Sequence, residues 1–184
     1  MLSAVLASVL LQPATARPGD ALSRVRELAS SRVVLAQSAA SDADVVKAVS
    51  ESNARAESLA EIQKKDAVWA AQKTYPLRKM VTGRPCSNKL RRLVAADPSI
   101  VEAFVMDDRG ALVCATVETS DYWQGDENKW IRTFQQGREV FMEEPALDPS
   151  TGVYAVQVSV PMAEGDKRIG AVTFTLKVRR SELR

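Results

Sequence analysis

The apolar period of this chain changes once. From Asp20 to about Gln72, apolar residues recur at three and four. Leu22, Val25, Leu28, Val33 and Leu35 form one stripe, Val45, Val46 and Val49 begin another, and Leu59, Ile62 and Trp69 continue it. That spacing puts side chains on one face of a helix. Beyond Asp97-Pro98 the period falls to two, which places alternate side chains on opposite faces of a strand. Helices followed by hairpin-linked strands imply an α+β domain. With 184 residues, 46% of them hydrophobic, the chain can build a single folded core.

Ser41-Asp42-Ala43-Asp44 reads as a cap-rich restart, so helices broken near Ser41 are expected, not one rod. The plain reading packs the second half of this helical region along the sheet. The sharper one makes the first half a docking arm or a homodimer contact through the N-terminal helices. Tyr75-Pro76 ends the run, Gly83-Arg84-Pro85 is a loop, and Ser87 can cap a short helix carrying Leu90, Leu93 and Val94. Ile100 to Met106 and Ala111 to Val117 form a hairpin about Asp107-Asp108-Arg109-Gly110, with Gly110 at its left-handed position. Val140 to Met142, Val153 to Val160 and Ile169 to Val178 complete five antiparallel strands. In the last, Val172, Phe174, Leu176 and Val178 face one way and Thr173, Thr175 and Lys177 the other. One sheet face is thus set to be covered by helix, and the other is left free for a cavity.

The segment Thr119 to Trp130 interrupts these plain strands with three acids, two Trp, a Tyr and a Lys. Asp126 can cap a helix start and Gly137 can end that helix, with Trp130, Ile131 and Phe134 as its apolar face. The loop before it leaves Asp121, Tyr122, Trp123 and Gln124 free to meet a small molecule. Tyr122 and Trp123 can wall a pocket or plug the sheet, and Trp130 lies on the inner stripe. Asp121 and Asp126 can pair with an ammonium group, and Lys129 or Arg132 with a carboxylate. Asp121 is favoured over Asp126, which as a cap needs no ligand, and Glu127 suits the helix dipole.

Several chemistries are excluded. With no His, Ser-His-Asp and Cys-His nucleophile systems cannot be built, and no acid and base pair is proposed by the pattern, so no enzyme is expected. Cys86 and Cys114 lack the short spacing of a zinc ribbon, and no metal or cofactor is expected. They either form a disulfide or pack as buried thiols. A net charge of +2 with both signs interspersed gives no nucleic-acid footprint. Leu2 to Leu11 is apolar and is followed by Ala14-Thr15-Ala16, which reads as a secretory signal over residues 1–16 and predicts a soluble, exported protein, periplasmic or secreted.

The hairpin IVEAFVMDDRGALVCAT, the loop TSDYWQGDENKW and the strands VFMEE, GVYAVQVSVPM and IGAVTFTLKV resemble the extracytoplasmic PAS-like sensor domain, also called PDC or Cache, in its stand-alone exported form. The resemblance implies a five-stranded antiparallel PAS-like sheet with a long N-terminal helical region, and one helix crossing between the second and third strands. Residues 17–54 would form a helical extension and 55–184 the sensor domain. It further implies a small organic ligand, an amino acid, carboxylate or amine, though the arginine-tryptophan-tyrosine pattern of the amino-acid-binding members is not matched by Asp121-Tyr122-Trp123; the composition of the loop itself makes Asp121, Tyr122, Trp123, Gln124, Asp126, Lys129 and Trp130 the candidate ligand-binding residues. Lacking a signalling region of its own, such a module would act through a membrane receptor or transporter. The alternative is a protein-interaction module of the same fold with no small-molecule ligand.

Overall fold

The computed structural model describes residues 18–148, 152–179 and 181. The expected secretory signal lies outside them. Six helices lead: α1 (Pro18–Ser31), α2 (Val33–Ala40), α3 (Ala43–Ala54), α4 (Leu59–Ala71), α5 (Pro76–Gly83) and α6 (Pro85–Ala95). The break expected near Ser41 is present, and its cause is the Asp42 carboxylate, which accepts the N–H groups of Asp44 and Val45 and restarts the chain as α3. Ser58 and Glu61 close a reciprocal capping box at the head of α4. Pro76 opens α5, where its missing N–H costs nothing.

The strands are β1 (Ile100–Met106), β2 (Leu112–Ala115), β3 (Phe141–Met142), β4 (Ala146–Asp148), β5 (Val153–Glu164) and β6 (Lys167–Arg179). They form one antiparallel sheet in the order β2-β1-β6-β5-β3, with β4 also on β5. β4 was not expected; three residues are too few to show an alternation.

Period two sorts the long central strands onto two faces. On the first, Val156, Val158, Val160, Val172, Phe174 and Leu176 meet Val25, Ala29, Ala36, Ala39, Val45 and Val49 in one core. Small alanines let α1 and α2 lie close to β5 and β6. The stripe expected to serve as a docking arm is therefore spent on the sheet, together with α3. On the second face, Phe104, Met106 and Ala171 meet Trp69, Tyr122 and Trp130.

Ser87 corrects an expectation. It is not the cap of α6, which begins at Pro85 with Arg84 before it and no side-chain cap bond. Its buried hydroxyl donates to the Val81 carbonyl and accepts the Ala115 N–H, so it covers the free edge of β2. Cys86 and Cys114 form a disulfide with Cα atoms 5.9 Å apart, tying the start of α6 to β2.

Candidate functional site

The loop after β2 folds back along that strand. Leu112 donates to the Tyr122 carbonyl and Gln124 to the Gly110 carbonyl, while the Asp66 carboxylate of α4 accepts the N–H groups of both Tyr122 and Trp123. The chain then crosses the second sheet face as α7 (Asn128–Trp130), continuing as a π-helical turn over Ile131–Gln135. The α-helix expected from Glu127 to Gln136 is thus mostly a wider turn, closed by Gln136 N–H on the Ile131 carbonyl. Gly137 ends it at φ +70, as expected. Asp126 is corrected as the cap: it is exposed, the residue before α7 is Glu127, and no side chain caps the start.

The seven loop residues singled out in the sequence do not converge on one point. Tyr122 is buried, its ring 5.7 Å from that of Trp69. Gln124 is buried and donates to the Asp121 carbonyl. Trp123 is half-buried, with Nε1 on the Arg109 carbonyl at 2.8 Å. Trp130 is buried, stacks on Phe134 with ring centres 5.0 Å apart, and donates to the Asp107 carbonyl. Asp121 is half-buried, and among the described residues its carboxylate accepts only the Ser120 hydroxyl. The polar atoms of the three Trp and Gln side chains thus serve the loop's own scaffold.

Lys129 is different. Only 6% of its side chain is exposed, and its Nζ lies 2.6 Å from the Glu127 carboxylate and 5.3 Å from the centre of the Phe104 ring. Phe104 belongs to the second sheet face, so this ammonium hangs over the strands. Beneath and beside it the strand pairing sets a polar row: Glu102 on β1 opposes Thr175 on β6, which opposes Gln157 on β5, whose carbonyl takes the N–H of Glu143 just after β3. Thr175 donates to Glu102 at 3.0 Å and Gln157 to Thr175 at 3.2 Å. One step along, Ser159 and Thr173 share a hydrogen bond of 2.8 Å and are fully buried. Glu143 has its carboxyl raised by burial, an effect that Lys129 opposes and Glu127 reinforces.

Glu102, Glu143, Gln157 and Thr175 were not among the residues singled out. A signal for two of them was present, since Thr175 and Gln157 stand at the polar beats of alternating strands. The cross-strand alignment that makes four residues into one row is a matter of register, which no local pattern specifies. The surface thus offers three carboxylates, one ammonium, an amide and hydroxyls, and can hold a small molecule with groups of either sign. Among the described residues no group of His, Cys, Asp and Glu could hold a metal ion. A separate cavity of about 140 Å³ lies between α2–α3 and α6, lined in part by Asp42, Lys89 and Leu90, where Lys89 is already paired with Asp42 and Asp44.

The antiparallel sheet, with α1–α3 on one face and α4 beside the crossing loop and turn on the other, is the α+β arrangement expected. The five-stranded antiparallel sheet expected is present, with β4 added beside β5. No family model matches the chain, and no curated protein does. Among solved structures, it is similar to the ligand-binding domain of the Pseudomonas aeruginosa amino acid chemoreceptor PctC in complex with GABA, at TM-score 0.47 and 12% identity over 86% of this chain and 57% of that one. It is also similar to the sensor domain of the V. cholerae histidine kinase DctB, at TM-score 0.45 and 10% identity over 90% of this chain and 54% of that one. A third is the ligand-binding domain of the Pseudomonas fluorescens chemoreceptor CtaA with L-serine, at TM-score 0.43 and 10% identity over 85% and 54%. The chain spans little more than half the length of each.

Proposed function

We propose that this chain is a non-catalytic sensor module that binds a small polar metabolite, an amino acid, carboxylate or amine, on the sheet face under Lys129. The bound state is passed to a partner protein, a membrane receptor or transporter. The observation that carries this reading is the polar row Glu102–Thr175–Gln157–Glu143 with the buried Ser159–Thr173 pair beside it. Central strands gain stability by burying apolar side chains, and polar groups placed there must be hydrogen-bonded to avoid a desolvation cost. Keeping them on two central strands, under a buried ammonium, suits a face that meets a polar molecule. The Cys86–Cys114 disulfide supports an oxidising, exported setting. Among the described residues no helix is long and apolar enough to cross a membrane.

The test is a thermal-shift screen of the purified protein against amino acids, organic acids and amines, repeated with Lys129→Met and Gln157→Leu. A ligand that binds only the folded state raises the melting temperature once its concentration exceeds its dissociation constant. One ligand class should stabilise the wild type and neither variant. A second reading, an interaction module of the same fold without a ligand, is favoured by the inward packing of Tyr122, Gln124 and Trp130. No shift across millimolar libraries would select it.

A further inference from the structure

On the first sheet face the helices do not close completely. α2 lies over β5 and β6, and α6 over β1. Two ion pairs pin the seam between them at its ends. Arg32, just before α2, meets Asp97, just past α6, at 2.7 Å, and Asp42, just past α2, meets Lys89 of α6 at 3.2 Å. The two helices thus run in opposite directions with their ends fixed. α2 brings only small side chains, Ser38 and Ala39, to this seam, and the space left is the cavity of about 140 Å³. It lies on the other side of the sheet from the polar row and shares no residue with it.

The apolar wall is made by Ala39, Val45 and Leu90, all buried, and by half-buried Leu93. Interiors seldom leave a space of this size, and an apolar cavity of about 150 Å³ holds one benzene molecule. The room therefore suits one ring or a short branched chain. The polar side chains of the lining are Ser38, Asp42, Lys89 and Arg92. Their acceptors are engaged. Asp42 takes the Asp44 and Val45 N–H groups on one oxygen and Lys89 on the other, and the Ser38 and Ala39 carbonyls take the Ser41 hydroxyl and the Asp42 N–H. Their donors are not. Lys89 is shared between Asp42 and Asp44, which leaves it one N–H bond to give. Arg92 is exposed, and among the described residues its guanidinium has neither a hydrogen bond nor an ion pair.

We propose that this cavity binds a small monocarboxylic acid whose body is one ring or a short branched chain. The hydrocarbon enters between Ala39, Val45, Leu90 and Leu93 and gains by leaving water. The carboxylate meets Arg92, whose planar fork matches its two oxygens, with the spare Lys89 N–H and the Ser38 hydroxyl beside it. The end of α2 and the start of α3 meet at this place, and their end charges are of opposite sign and offset each other, so the side chains decide the polarity. An amine would find Asp42 already taken.

The experiment is a thermal-melt titration of the full chain with sodium benzoate and, separately, sodium isovalerate, each against sodium chloride at matched ionic strength and against benzyl alcohol. Wild type, Arg92→Gln, Ser38→Trp and Lys129→Met are compared. The wild-type midpoint should rise with concentration in at least one acid, not in chloride, and less in benzyl alcohol. Arg92→Gln, altered at an exposed position, should need about tenfold more acid for the same rise, the loss expected for one charge-assisted contact. Ser38→Trp, which blocks the mouth from an exposed position on α2, should melt cooperatively in chloride and show no rise. Lys129→Met should behave as wild type. Which acid acts distinguishes a ring from a branched chain. No rise in either acid, an equal rise in benzyl alcohol, or wild-type behaviour of Arg92→Gln or Ser38→Trp would overturn the proposal. Loss of the rise only in Lys129→Met would overturn it too, by placing the acid on the opposite sheet face.

Discussion

Gly110 and Gly125 lie back to back, so that a Cβ on Gly110 would come within 2.3 Å of the Gly125 Cα. Gly110 also sits at φ +80, in the hairpin turn, where a side chain is strained whatever the space around it. This approach seats the loop against the hairpin and lets Gln124 donate to the Gly110 carbonyl. Gly110→Ala combines a left-handed alanine with an overpacked contact, and should cost about 2–4 kcal/mol. Urea unfolding checks this. A midpoint at the wild-type value would mean that the loop does not depend on the approach.

Closing the chain between Cys86 and Cys114, 28 residues apart, restricts the unfolded state. The chain-entropy relation gives about 3–4 kcal/mol for a loop of that length. A Cys86→Ser, Cys114→Ser double variant should therefore melt at a clearly lower temperature than the oxidised protein. Reductant should lower the wild-type midpoint and leave the variant's unchanged.

Asp107 makes stability depend on pH with a definite sign. Burial raises its carboxyl above the ordinary 3.8, against the lowering effect of the Arg109 and Ala111 N–H groups and the Ser52 hydroxyl. A raised carboxyl holds its proton more tightly in the folded state than in the unfolded one. Its cost is absent below 3.8, grows as pH climbs from there to the folded value, and stays constant above. Asp107→Asn keeps an oxygen for the two N–H groups and removes the titration. The stability of wild type relative to this variant should fall as pH rises, followed by urea unfolding between about pH 3.5 and 7. A difference that is flat, or that rises with pH, would contradict the buried placement.

Ala56, directly after the end of α3, is the one non-glycine at positive φ among the described residues, at +50. A left-handed alanine costs about 1–2 kcal/mol, and glycine's greater unfolded-state freedom returns about half of that. Ala56→Gly should raise stability by about 0.5–1 kcal/mol, measured as a shift in the urea midpoint at unchanged slope. A fall would show that residue 56 does not adopt the left-handed conformation.

The single change of apolar period was enough to read helices before strands, the restart at Asp42, the Gly110 turn and two-faced central strands. Each of these is local: a cap, a turn or an alternation acts within a few residues. Where local cues compete, the reading was less secure. Ser87 has the chemistry of a cap and serves instead the edge of β2, and Asp126 is displaced by a helix start one residue later than the simplest one. In the strand at Ala146 there was too little sequence to read.

The sequence by itself determined the α+β class, the sheet's apolar and polar beats, and the unusual composition of the loop at Thr119 to Trp130. Only the tertiary structure decided which of those polar residues meet. Glu102, Thr175, Gln157 and Glu143 come from four segments and form a row because antiparallel register aligns them. Lys129 joins them because a π-helical turn carries its neighbours across the sheet, while Tyr122 is turned instead toward Trp69. Side-chain type is a property of one position; a site is a property of several chain segments packed together, and their packing is settled by the whole core.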